Sequence, residues 1–223
     1  MLAVYTLVFS TVFKSRWPGI NQDGPFAYAI VLFSSLILFQ IFSEVIVRAP
    51  LLVVSNPNYV TKLVFPLEIL PVVALISTVT QATVSLGILL LFHFILMGLP
   101  PPTALLVPVA VIPLLMMVLG LSWLLASLGV FLRDLNQLIG WMVTVVMFTS
   151  PVFFPMSSVP PVMQKWMLIN PLTLPLEWIK SLLFLGTLPE PTAFIIYTAV
   201  ATLVFNLGYL WFKRTKKAFA DVL

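Results

Sequence analysis

The side chains able to do chemistry in this chain are few and stand apart. There is one histidine, His93, and no cysteine, which removes disulfides, thiolate catalysis and Cys-ligated metals together. A Ser/His/Asp relay or a metal centre needs several converging ligands or bases, and a lone His93 supplies neither. Its expected place is a hydrogen bond to a neighbouring helix. The seven acids are scattered singly, whereas a membrane-embedded phosphatase or glycosyl transferase needs acids, His or Arg gathered at one interface. No Gly is followed by Lys, so the phosphate-binding loop GxxxxGK[ST] is absent. No catalytic residue, metal ligand or cofactor is expected here, and any ATP the protein uses is hydrolysed by another chain.

The elements that must carry these groups are almost wholly apolar. Of 223 residues 61% are hydrophobic and 8% charged, against about 25% charged in ordinary soluble domains, so there is too little polar surface to face water. No Asp, Glu, Lys or Arg occurs between Glu68 and Arg133, an interval with room for two spans of about 20 residues. The expected fold is an all-α polytopic membrane protein, a single domain over 1–223. It has six transmembrane helices plus a short helix in a cytoplasmic loop and two short re-entrant outer helices. The spans read as Met1–Phe13, Pro25–Val47, about 71–97, 104–132, 138–154 and 192–212. The first is short, about 20 Å at about 1.5 Å per residue, against a hydrocarbon core of about 30 Å. Either it extends through Lys14 to Trp17 or the natural chain begins earlier; the second is the expectation.

Lys and Arg near span ends set the orientation. With both termini cytoplasmic, the inner segments hold Arg48, Lys62, Arg133, Lys213, Arg214, Lys216 and Lys217, and the outer ones only Lys14, Arg16, Lys165 and Lys180. Trp17 and Tyr197 then fall at the outer interface, Tyr209 and Trp211 at the inner one. The basic run from Lys213 to Lys217 suits an anionic membrane surface, and nothing suggests nucleic acid.

Three segments are not plain spans. Residues 48–70, RAPLLVVSNPNYVTKLVFPLEIL, contain Ser55-Asn56-Pro57-Asn58, whose Asn-Pro favours a turn. Asn58 or a neighbour can cap a short helix from Tyr59 through Leu63. With Pro66 and Glu68 this makes a compact cytoplasmic loop, either a docking surface or a long connector. At its start Glu44 and Arg48 lie i, i+4 and suit an ion pair, although an acid one turn inside the bilayer is also a functional candidate. Residues 151–191 carry eight prolines and break into pieces too short to span: Pro161–Ile169, with Pro161 near a first turn, and Thr173–Leu185, stopped by Gly186. Irregular backbone at membrane depth must pack on protein or line a cavity. An outer gate is therefore expected here, with Pro151, Phe153, Phe154, Pro155, Trp166, Asn170, Pro171 and Trp178; a pair of interfacial amphipathic helices is the alternative. Lastly, Arg133-Asp134 makes a tight hairpin, a solvated turn or a second cytoplasmic contact. Ser122, Ala126 and Gly129 form a small-residue stripe for close helix packing, first within the chain and second between copies.

These motifs, in this order, resemble the type-2 ABC exporter permeases, in particular the branch exporting O-antigen and other lipid-linked polysaccharides. LAVYTLVFSTVFKS resembles that branch's first span, and SNPNYVTKLVFPLEILP its coupling loop. LGLSWLLASLGVFLRDLNQLI resembles the end of the fourth span and its hairpin. SPVFFPMSSVPP with NPLTLPLEWIKSLLFLG resembles the outer segment, and WFKRTKKAFADVL the ending. The resemblance implies a homodimer of six-span subunits with two ATP-binding subunits beneath, which bind the ATP and Mg, in a bacterial inner membrane. Ser55, Asn56, Pro57, Asn58, Tyr59, Lys62, Pro66 and Glu68 would belong to the ATPase-coupling loop. Aromatic faces suit passing sugar rings, so Tyr5, Phe9, Tyr28, Phe33, Phe39 and Phe42 are candidate channel residues beside Phe153 and Phe154. Two departures stand out: members usually carry an amphipathic cytoplasmic helix and basic residues before the first span, and often an Arg where this chain has Lys180. Export of a drug or small lipid by the same fold is the nearest rival; an embedded enzyme or a scaffold protein is further off.

Overall fold

The computed structural model describes residues 25–61, 65–132 and 134–222, and every regular element among them is helical. Helix α1, Pro25–Arg48, starts on a proline, whose fixed φ suits a first helical position. It ends before Pro50, because the residue preceding a proline is pushed out of the helical region. Two short helices follow, α2 (Leu51–Val54) and α3 (Pro57–Thr61). Helix α4, Ile69–Met97, is about 44 Å long at about 1.5 Å per residue. It stops at Gly98, which takes φ 87°, a conformation only glycine adopts freely; Pro100 and Pro101 beyond it keep α4 from continuing. Helix α5, Val107–Phe131, follows a 3₁₀ turn at Pro102–Leu106. Helix α6 is Leu135–Phe148, α7 Pro161–Met167 and α8 Thr173–Lys180. Helix α8 runs on into a π turn, Ser181–Leu185, closed by Gly186 at φ 68°. Helix α9, Pro191–Thr215, and the terminal turn α10, Phe219–Val222, complete the order.

Four of these helices are long and apolar enough to cross a membrane: α1, α4, α5 with its 3₁₀ lead, and α9. They hide very different shares of their surface, 61% of an 18-residue window in α1 but 11% in α4. Polar side chains inside α1 are satisfied locally, as lipid demands: Ser34 and Ser35 donate back to the Val31 carbonyl at 2.7 and 3.3 Å.

The chain divides into two compact units. One comprises the residues up to Gln40, with Ala82–Ile112 and Val146–Phe194. Its fully buried side chains include Leu32, Leu89, Leu172, Leu176, Leu182 and Phe153, and the Thr103 hydroxyl donates to the Leu182 carbonyl at 2.7 Å. The other unit comprises Ile41–Gln81, Pro113–Val145 and Ile195–Leu223. Its core gathers Val53, Leu67, Trp123, Ala126, Val130, Phe212 and Phe219. Helices α5 and α9 touch backbone to backbone there: a Cβ on Gly208 would run into the Gly120 carbonyl. Close approach through small residues is how helices gain van der Waals contact where lipid removes the hydrophobic drive between them. The stripe on α5 works the same way within the chain. Ser122 and Ala126 are fully buried, and a Cβ on Gly129 would strike the Pro50 backbone.

Two expectations need correction. The fifth span was expected to run from Leu138 to Phe154, but α6 ends at Phe148. Its 14 residues reach about 21 Å at about 1.5 Å per residue, short of a bilayer core. Pro151 denies Ser150 a helical backbone, and the chain turns there, with the Ser150 hydroxyl on the Met147 carbonyl at 2.8 Å and Val152 N–H on the Ser150 carbonyl at 2.8 Å. His93, expected to bond a neighbouring helix, instead has Nδ1 3.2 Å from the Gly98 carbonyl at the end of its own helix. A carbonyl only accepts, so Nδ1 carries the proton in that bond. The expected first span, with Tyr5 and Phe9, lies outside the described residues, as do Lys62 and Arg133.

Candidate functional site

Two proline-broken stretches hold most of the candidate residues, the connector between α1 and α4 and the segment between α6 and α9. The connector leaves α1 through the Glu44–Arg48 pair, Oε1 to Nη2 2.6 Å. Its Arg48 sits in the last helical turn, where the helix dipole favours a cation. Asn56 does not cap forward. Its Nδ2 donates back to the Leu52 carbonyl at 3.0 Å, closing the turn after α2, while Tyr59 N–H reaches the Asn56 carbonyl at 3.1 Å. Pro57 opens α3, its ring pre-setting φ. Ser55, Pro57, Asn58 and Tyr59 are exposed, as is Pro66. The Tyr59 ring stacks on Phe65 with centroids 4.8 Å apart, so the exposed side of α3 is folded onto the connector's return limb.

That limb is fixed at Glu68. Its carboxylate pairs with the Lys216 ammonium, and its backbone carbonyl accepts from Trp123 Nε1–H at 3.0 Å. Burial alone would raise the Glu68 pKa, but the Lys216 hydrogen bond and charge, with Lys213 nearby, outweigh it and hold the carboxyl below its ordinary value. Asp134 is exposed at the start of α6, its carbonyl accepting Gln137 N–H at 3.2 Å.

The segment after α6 is seated differently. Lys180 is 4% exposed; its ammonium donates to the Pro151 carbonyl at 2.5 Å and meets Glu177 Oε1 at 3.1 Å. The Tyr28 hydroxyl donates to the Phe153 carbonyl at 2.8 Å. Asn170 Nδ2 donates to the Val146 carbonyl at 2.8 Å and to Thr149 Oγ1 at 2.9 Å, and Asn170 Oδ1 accepts Leu172 N–H at 2.9 Å. Pro171 is thereby held in a turn that starts α8. Pro151, Phe153 and Pro155 are buried and Phe154 half-buried. The two tryptophans differ: Trp178 is buried against Phe194, centroids 5.3 Å, while Trp166 on α7 is 71% exposed. Of the channel candidates, Tyr28 and Phe42 are buried within the chain and Phe33 and Phe39 half-buried. No group of three or more His, Cys, Asp or Glu able to hold a metal occurs among the described residues.

Four long apolar helices among the described residues, with an exposed helical turn between the first two of them, describe a multi-pass membrane protein. A family model described as ABC-2 type transporter matches residues 1–184. The chain belongs to the ABC-2 type transporter family. Members of this family are transport subunits, which normally work with ATP-binding subunits, and the chain is a multi-pass membrane protein. Three curated relatives are each named O-antigen export system permease protein RfbA. The one from Myxococcus xanthus is 22% identical over 222 residues, 99% of this chain and 82% of that protein. Two from Klebsiella pneumoniae are 21% and 22% identical over 224 and 225 residues, with the same coverage.

Within this ABC-2 permease, three long-range side-chain links were not foreseen from the sequence: Lys216 to Glu68, Trp123 to the Glu68 carbonyl, and Lys180 to the Pro151 carbonyl. Only the first left a trace. Glu68 is the last charge before the long uncharged interval, and Lys216 lies in the one cluster of cations.

Proposed function

We propose that this chain is the membrane-spanning permease of an ATP-driven exporter that moves lipid-linked polysaccharide, O-antigen or a similar glycan, across the bacterial inner membrane. Two copies pair, two ATP-binding subunits sit at the cytoplasmic face, and both termini lie on that side. The partners bind and hydrolyse ATP with Mg; this chain performs no covalent step. The six-span plan, with segment 151–191 forming the outer gate, belongs to the same reading.

The observation that carries the proposal is the short exposed helix α3, presenting Pro57, Asn58 and Tyr59 between two span-length helices while its return limb is anchored at Glu68. A rigid projection of this kind can be gripped by a partner, and displacing it biases one arrangement of the permease over another. The relatives' names support glycan as the cargo. Changing Asn58→Arg together with Lys62→Glu tests the docking role through co-purification of the ATP-binding subunit. Binding is expected to fall by about tenfold or more, as for a central interface residue. Undiminished binding and export would remove α3 from the mechanism.

A further inference from the structure

Three chain segments meet at Glu68. It ends the connector that carries α3, immediately before α4. Its carboxylate holds Lys216, just past the end of α9, and its carbonyl holds the indole of Trp123 on α5. Trp123 in turn meets Phe205 and Tyr209 of α9 edge-on, each with centroids 5.2 Å away. The next residue back, Leu67, lies in the same core as Phe212 and Phe219, and Phe219 packs edge-on against Phe212 and Phe131, at 5.5 and 5.9 Å. A push on the connector thus reaches α5 and α9 through Glu68 without travelling along α4.

The ion pairs Glu44–Arg48, across one turn of α1, and Glu177–Lys180, three residues apart, are local in sequence, although Lys180 also holds the Pro151 carbonyl. The Glu68–Lys216 pair is also poorly replaceable. Glu68 Oε2 is buried with no hydrogen-bond partner, so the carboxylate leans chiefly on Lys216, with its own backbone N–H and Lys213 in support, and a buried charge that loses its main partner is costly.

We propose that Glu68 and Lys216 are positioning residues of the transport cycle, joining the connector to α5 and α9 and making residues 216–219 part of the coupling element. This rests on the reading of α3 as the ATPase contact. The test uses the complex with its ATP-binding subunit in vesicles and follows labelled lipid-linked glycan moved per ATP hydrolysed. Glu68→Gln and Lys216→Met should each keep the ATP-binding subunit bound and lower that ratio by about three- to tenfold, the range for changes along a coupled network. The exchange Glu68→Lys with Lys216→Glu should restore it to within about twofold, since two residues in contact are non-additive. An unchanged ratio in the single variants, or a loss the exchange does not restore, overturns the role.

The chain has no cysteine of its own, so Glu68→Cys with Lys216→Cys tests the placement separately. A short bis-thiosulfonate reagent should link the two positions within one chain; failure to link overturns the placement. A link formed in a chain that binds no ATP-binding subunit overturns the functional reading, and the proposed role with it. A link with normal ratios in the single variants overturns the role alone.

Discussion

The connector 49–68 and the segment 149–186 are both broken by prolines and both carry short helices, yet they are held differently. The segment is tied near its two ends through its own backbone carbonyls, Lys180 on Pro151, Tyr28 on Phe153 and Thr103 on Leu182, while α7 between them is largely exposed. Most of α8 is core. The connector is gripped by Gly129 packing on Pro50, by Val53 in the core and by Glu68, and its turn at Ser55 to Tyr59 is largely exposed, with α3 resting against α10. The exposed turn of α3, standing between fixed roots, is placed to act as a lever, whereas α8 moves only with the core around it. Proline content alone does not separate the two; the destination of the freed backbone groups does.

The strongest way to break this contrast is at the connector's first root. Gly129→Val would drive a side chain into the Pro50 backbone, which has no flexible end to yield. Overpacking of this kind costs about 3 kcal/mol or more, and the expected result is loss of the folded peak in detergent size-exclusion chromatography. A normal peak would mean that α5 and the connector are not in contact. Next comes the segment. Lys180→Met leaves the Pro151 carbonyl without its donor at a cost of about 1–3 kcal/mol, read as a lower thermal midpoint and faster labelling of a cysteine placed at Ser150. Equal labelling would show that the lysine does not pin the turn. The smallest structural effect belongs to the lever's tip. Tyr59→Ser changes an exposed ring and should shift stability by no more than about 0.5 kcal/mol, while lowering the amount of ATP-binding subunit that co-purifies. A large drop in thermal midpoint would make the Tyr59–Phe65 stack a structural element rather than a presented surface.

Much of the helical plan was legible because proline and glycine mark their own effects. Pro50 ends α1, Gly98 and its prolines end α4, and Gly186 closes the turn after α8. The fifth span, α6, is shorter than its sequence suggests because Val152, Phe153 and Phe154 look like more span, while the constraint that Pro151 places on Ser150 is a single-residue effect. Of the site's pairings only the local Glu44–Arg48 pair was legible; the long-range ones were not. Nothing local distinguishes Lys216 from Lys213 or Lys217 as the partner of a glutamate 148 positions away. Trp166 and Trp178 are likewise alike as residues, and tertiary packing alone leaves one exposed and the other in the core.

The account stands most directly on transport itself. The chain, co-reconstituted with its ATP-binding subunit in sealed vesicles, should move a labelled lipid-linked glycan across the bilayer with ATP and Mg, and not with a non-hydrolysable analogue. ATP turnover that moves a drug or a simple lipid but leaves the glycan behind would contradict it.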